Sequence, residues 1–77
     1  MQSLLEFLLL RLIKFPEDLQ IELQEDEAYQ RYLIHLNPED IGRVIGRRGQ
    51  VIRALRKLAQ VRAVKDQVRV RIELAEE

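Results

Sequence analysis

The stretch Val44-Ile45-Gly46-Arg47-Arg48-Gly49-Gln50-Val51-Ile52 decides how this chain is read. Two glycines bracket two arginines, and an aliphatic pair stands on either side. Glycine takes φ > 0 without steric cost and lets the backbone come close to a ligand, so Gly46 and Gly49 predict a tight bend. Arg47 and Arg48 put two permanent cations at its tip. A helix-like run starts at Gln50, and the first N–H groups of a helix have no partner within it. Free N–H groups, guanidinium groups and bare backbone together form a seat for phosphate. The spacing of the glycines is common by chance, so their surroundings must carry the reading.

On the C-terminal side, the pattern predicts a helix over about Gln50 to Val61. Val51, Ile52, Leu55, Leu58 and Ala59 face inward, and Arg53, Arg56, Lys57 and Gln60 face out. A loop over Ala63 to Asp66 then leads to a strand in which Val68, Val70, Ile72 and Leu74 alternate with Arg69, Arg71 and Glu73. On the N-terminal side, Asn37-Pro38-Glu39-Asp40 starts a short helix that ends near Ile45. Asparagine caps it, proline takes the first helical position, and two carboxylates sit at the positive end of the dipole. Glu39 and Asp40 are read as serving that end.

Two strands come before it. Asp18 to Gln24 alternates Leu19, Ile21 and Leu23 with polar residues, and Ala28 to Leu36 sets Tyr32, Ile34 and Leu36 on one face. The acidic turn Glu25-Asp26-Glu27 is short enough to make the pair antiparallel if they are neighbours. The chain opens with a helix over residues 2–14, with Leu4, Leu5, Leu8, Leu9 and Leu12 on one face, and Pro16 stops it. Phe7 and Leu10 fall among its polar positions. The order of elements is αββααβ.

The length of 77 residues suits one small domain, residues 1–77, near the size at which a single core just suffices. No cysteine is present, which excludes disulfides and thiolate metal sites and fits a reducing compartment. The net charge of zero hides a strong division. Residues 1–41 carry three basic against nine acidic side chains, and residues 42–71 carry ten basic against Asp66 alone. The last six residues add Glu73, Glu76 and Glu77. A basic block of this density is a footprint for a polyanion, while the acidic half limits indiscriminate binding. Glu6 and Arg11 interrupt the leucine-rich start, which is also far short of the ~20 apolar residues of a membrane span. A cytoplasmic chain with no membrane contact is expected.

The segment Ile41-Gly42-Arg43-Val44-Ile45-Gly46-Arg47-Arg48-Gly49-Gln50-Val51-Ile52-Arg53-Ala54-Leu55, set in the αββααβ order, resembles the signature of the type II KH domain. The chain as a whole is similar to the small bacterial KH-domain proteins of the KhpA-like family. The resemblance implies an α+β fold whose three-stranded sheet is covered on one face by three helices. It also implies binding of single-stranded RNA, with about four nucleotides held along the loop and an adjoining apolar groove, in a bacterial RNA chaperone or regulator.

Carried onto this chain, the backbone from Gly46 to Gly49 would contact phosphates, helped by Arg47 and Arg48. Ile41, Gly42 and Ile45 would form the groove with Ile52, and Ile34 or Leu36 its far wall. Arg43, Gln50, Arg53 and Lys57 complete the expected RNA-binding set. Such proteins are expected to pair with themselves or with a larger KH-containing partner of the KhpB/Jag type, and Phe7 and Leu10 are the residues expected at that contact.

Other readings remain open at this point. Residues 38–61 also suit a helix-turn-helix that places Arg53, Arg56 and Lys57 in a duplex major groove. The basic face also suits an assembly module docking an acidic partner. An RRM-type platform fits poorly, because Tyr29 and Tyr32 are an odd number of residues apart and point to opposite faces. One His, one Ser and no Thr or Cys leave little material for catalysis, so no enzyme, no cofactor and no metal are expected. His35 reads as a strand residue, and Glu25, Asp26 and Glu27 as a solvated turn.

Overall fold

The computed structural model describes residues 1–75; Glu76 and Glu77, counted above in the acidic end, lie outside the described residues. Three α-helices and three strands follow in the expected order: α1 Gln2–Leu10, β1 Gln20–Glu25, β2 Gln30–His35, α2 Pro38–Ile45, α3 Gln50–Lys65 and β3 Val70–Leu74. The sheet order is β1-β2-β3. β1 pairs antiparallel with β2, and β3 runs parallel to β2 on its other side with Tyr32 opposite Ile72. The fold is the α+β type II KH arrangement expected from the sequence. Strand order, which the sequence left open, makes β3 an edge.

Period-two patterning works as expected in β2 and β3. Tyr32, Ile34, Val70 and Ile72 are buried and meet Leu5 and Leu9 of α1, Val44 of α2, and Ile52, Leu55, Ala59 and Ala63 of α3 in one core. β1 contributes less: Ile21 is half-buried and Leu23 is exposed. Both strands are shorter than the residues 18–24 and 28–36 expected. In place of the strand start, Pro16–Asp18 forms a single 3-10 turn.

The first helix ends four residues before the expected boundary, and the cause is tertiary. The carboxylate of Asp40 accepts the backbone N–H groups of Lys14 and Phe15, each at 2.9 Å, which draws them away from the helix carbonyls. Leu12, expected inside, is consequently exposed beyond the helix end. Asp40 is fully buried and is more than an N-terminal charge. It fastens the segment after α1 to the start of α2. Asn37 caps α2 as expected, its side chain accepting from the Glu39 N–H at 2.9 Å.

The third helix runs four residues past its expected end, so Ala63 to Lys65 belong to helix and not to a loop. Gln67 terminates it with φ 58 in the left-handed region. Val68 N–H reaches Ala63 O at 3.0 Å and Gln67 N–H reaches Val64 O at 3.2 Å, the paired bonds of a Schellman motif without glycine. Leu58, expected in the core, is half exposed, because the inward face of α3 is centred on Ile52, Leu55, Ala59 and Ala63.

Candidate nucleic-acid interface

α2 ends at Gly46, whose N–H closes onto Gly42 O at 2.9 Å. With φ 74 and ψ 175, Gly46 turns the chain out of the helix in a conformation that suits glycine. A Cβ there would stand 2.4 Å from Val51 Cγ2, so the glycine is required twice over. Arg47–Gly49 forms one 3-10 turn in which Arg48 (φ 57) and Gly49 (φ 72) both take positive φ. Gln50 then begins α3 with no side chain capping its N-terminus. The bend expected from the two glycines is therefore present, with Arg47 and Arg48 exposed at its tip.

Arg53, one turn into α3, donates from Nη2 to Arg48 O at 2.8 Å and braces the loop from behind. Among the described residues, neither Arg47, Arg48, Arg53 nor Lys57 forms an ion pair. Arg43 differs. Its guanidinium donates to Glu39 O at 2.8 Å and to Asp40 at 3.1 Å, so its charge is directed along α2. Burial pushes the Asp40 carboxyl up. The N–H groups of Lys14 and Phe15 and the Arg43 cation outweigh that effect and hold it below the ordinary value of 3.8.

Beside the loop lies an open cleft of about 420 Å³ lined by Ile45, Ile52, Arg56, Glu73 and Leu74. Ile41, one turn back along α2, lines an adjoining depression with Leu36, Pro38 and Ala75. Gly42 is exposed and faces open space, leaving the surface of α2 bare. Gln50 is exposed at the start of α3. The structure thus brings together Ile45, Gly46, Arg47, Arg48, Gly49, Gln50, Ile52 and Arg53. Ile41 and Gly42 stand at one end, and Lys57 lies further along the exposed side of α3.

Of the two residues expected at the far wall, Ile34 is wholly buried, while Leu36 lines the depression beside Ile41; opposite Ile45 and Ile52 the wall comes from β3 through Leu74 and Glu73. Arg56 is a cleft residue that the sequence reading placed only on an outer face. It stands four residues after Ile52, a spacing that puts the two on one side of a helix. Its Nε donates to Ile72 O at 3.1 Å, and Gln60 Nε2 donates to Val70 O at 2.7 Å, so both side chains lie across the cleft floor. Glu73, the acidic group in the cleft, is paired with Arg31.

A helix–turn–helix around a Gly-x-x-Gly bend, packed on a three-stranded sheet whose third strand is parallel to the second, defines a type II KH domain. Residues 2–74 match the family described as KhpA/KhpB, KH domain. Among relatives, the chain is 41% identical over 61 residues to RNA-binding protein KhpA of Lactiplantibacillus plantarum, covering 79% of this chain and 72% of that one. It is 32% identical over 76 residues to RNA-binding protein KhpA of Listeria monocytogenes, covering 99% and 100%. It is 30% identical over 74 residues to the protein of that name in Halalkalibacterium halodurans, covering 96% and 97%. No solved structure matches at a significant level. The chain belongs to the KhpA/KhpB KH-domain family.

Proposed function

We propose that this protein binds single-stranded RNA, with the sugar-phosphate backbone on the Gly46–Gly49 loop and the bases in the cleft between α3 and β3. The observation that carries the reading is the loop itself. A bend that only glycine permits at Gly46 presents two exposed arginines at the edge of a cleft whose lining combines Ile45, Ile52 and Leu74 with Arg56 and Glu73. The names of the relatives point the same way, since each is called an RNA-binding protein. The aliphatic side chains Ile45, Ile52 and Leu74 read the shape of a base more than its identity, and with Arg56 and Glu73 held by contacts to Ile72 O and Arg31 a sequence-tolerant role in RNA chaperoning or regulation fits.

A duplex-DNA reading is disfavoured, because the guanidinium groups of Arg53 and Arg56 are drawn onto the carbonyls of Arg48 and Ile72 and away from a duplex groove. Phe7 and Leu10, each about half exposed on α1, are the proposed contact with a second copy or a larger KhpB/Jag-like partner. Pairing would raise avidity for longer RNA through effective concentration.

The test is a titration with a short unstructured RNA followed by amide resonances. Residues 46–52 shift in the native chain, and the Arg47→Asp/Arg48→Asp variant loses binding while its circular dichroism and melting temperature stay near native. Full binding by that folded variant would remove the loop from the interface.

A further inference from the structure

The cleft does not stop at Arg56. Arg56 and Glu73 line both the depression beside the loop and a second one of about 250 Å³ further along β3. Gln60, Val70 and Arg71 line that second depression and a third of about 350 Å³, which also holds Tyr29 and Arg69. Three depressions that share lining residues thus follow one another along the outer border of β3 from Ile45 to Tyr29, with the Arg56 and Gln60 side chains lying between them. Their charge is one-signed: among the described residues Arg56, Arg69 and Arg71 have no ion-pair partner, and Glu73 is neutralised by Arg31.

At the far end, Tyr29 is held in place from two sides. Asp26 Oδ1 accepts the N–H groups of Ala28 at 2.7 Å and Tyr29 at 3.0 Å, fixing the backbone of the turn. The Arg71 guanidinium lies over the Tyr29 ring, 5.1 Å from its centroid. Aromatic rings and guanidinium planes are the two surfaces on which unpaired bases stack. On the other side of Tyr29 the surface carries Glu25 and Asp26 beside an Arg31 already paired with Glu73, and this acidic excess repels phosphate and marks where a polyanion track ends.

We infer that Tyr29, with Arg69 and Arg71, forms a further nucleobase-stacking subsite, which extends the RNA footprint past the four nucleotides that a KH loop clamps. The inference rests on the proposed RNA-binding reading and adds a second point of grip at the opposite end of that row of depressions. Base stacking on an aromatic ring tolerates every base, so this subsite adds affinity for length and not for sequence.

The experiment compares two fluorescently labelled oligouridylates, one of four nucleotides and one twice as long, by anisotropy. Tyr29→Ala lowers affinity for the longer probe by roughly tenfold and leaves the shorter one unchanged, which also serves as the folding control. Tyr29→Phe keeps native affinity for both, because the ring and not the hydroxyl does the stacking. Replacing Arg69 and Arg71 by Ala lowers the salt dependence for the longer probe alone. Native affinity of Tyr29→Ala for the longer probe, or an equal loss at both lengths, overturns the subsite while the loop reading stands. Failure of the native chain to bind either length overturns both.

Discussion

The φ of 74 at Gly46 and the Val51 side chain next to it act on the same missing atom, while Gly49, with φ 72, has open space around it. The two glycines therefore carry different burdens. Gly46→Ala forces both a disfavoured backbone and a steric overlap, at a cost of about 2–5 kcal/mol. Gly49→Ala meets only the conformational penalty, about 1 kcal/mol. Chemical denaturation of the two variants checks the difference, and equal midpoints would contradict it. The bend was readable from the two glycines taken together with the helix signals on either side of them. That Gly46 also makes room for Val51 was not, because the contact depends on how α3 folds back over the turn. Arg56 was hidden for a similar reason: its chemistry suits a solvated face, and only the placement of β3 turns that face into a cleft.

At the level of elements, α2 was readable almost to the residue, since Asn37, Pro38 and Gly46 mark its ends in their own chemistry. The ends of α1 and α3 were not. Asp40, distant in sequence, takes over the N–H groups of Lys14 and Phe15, and Gln67 stops α3 in a conformation for which glutamine gives no signal. The Asp40 contact has a pH signature. A carboxyl whose pKa is lower in the folded than in the unfolded chain adds stability above the unfolded value and loses it as pH falls through the folded value. Its contribution is therefore present at neutral pH and lost below the ordinary 3.8. Asp40→Asn leaves Lys14 or Phe15 N–H without an acceptor, and is expected to lower the melting temperature at neutral pH by at least about 5 °C. Melting curves from about pH 6 to about pH 2 should show the two proteins converging at the acid end. A constant gap across that range would mean that the carboxylate charge does not matter.

Across the whole molecule, charge is divided between an acidic β1 with its following turn and a basic tract from the loop to the start of β3. Long-range attraction of a polyanion to that tract weakens with salt. Lys57→Ala is expected to weaken RNA binding modestly and evenly across sequences, and to reduce the slope of log affinity against log salt by about 0.7 for one lost single-strand phosphate contact. A loss confined to one RNA sequence would instead make Lys57 a base reader. On the opposite flank, Phe7 sits beneath the Arg11 guanidinium, 4.1 Å from its ring centroid, and stays half exposed. Phe7→Asp is expected to convert any homodimer to monomer in sedimentation analysis without unfolding the chain, and an unchanged sedimentation coefficient would place self-association elsewhere.

The side chains of Arg56 and Gln60 lie on the outward carbonyls of β3, and this has a consequence for solubility. An incoming chain seeking to lengthen the sheet from that border finds those acceptors already taken by groups from the same molecule. Sheet extension is thus disfavoured at that border, and at the opposite margin, Gln20–Glu25, the Glu22 and Glu25 side chains of stacked copies would repel one another.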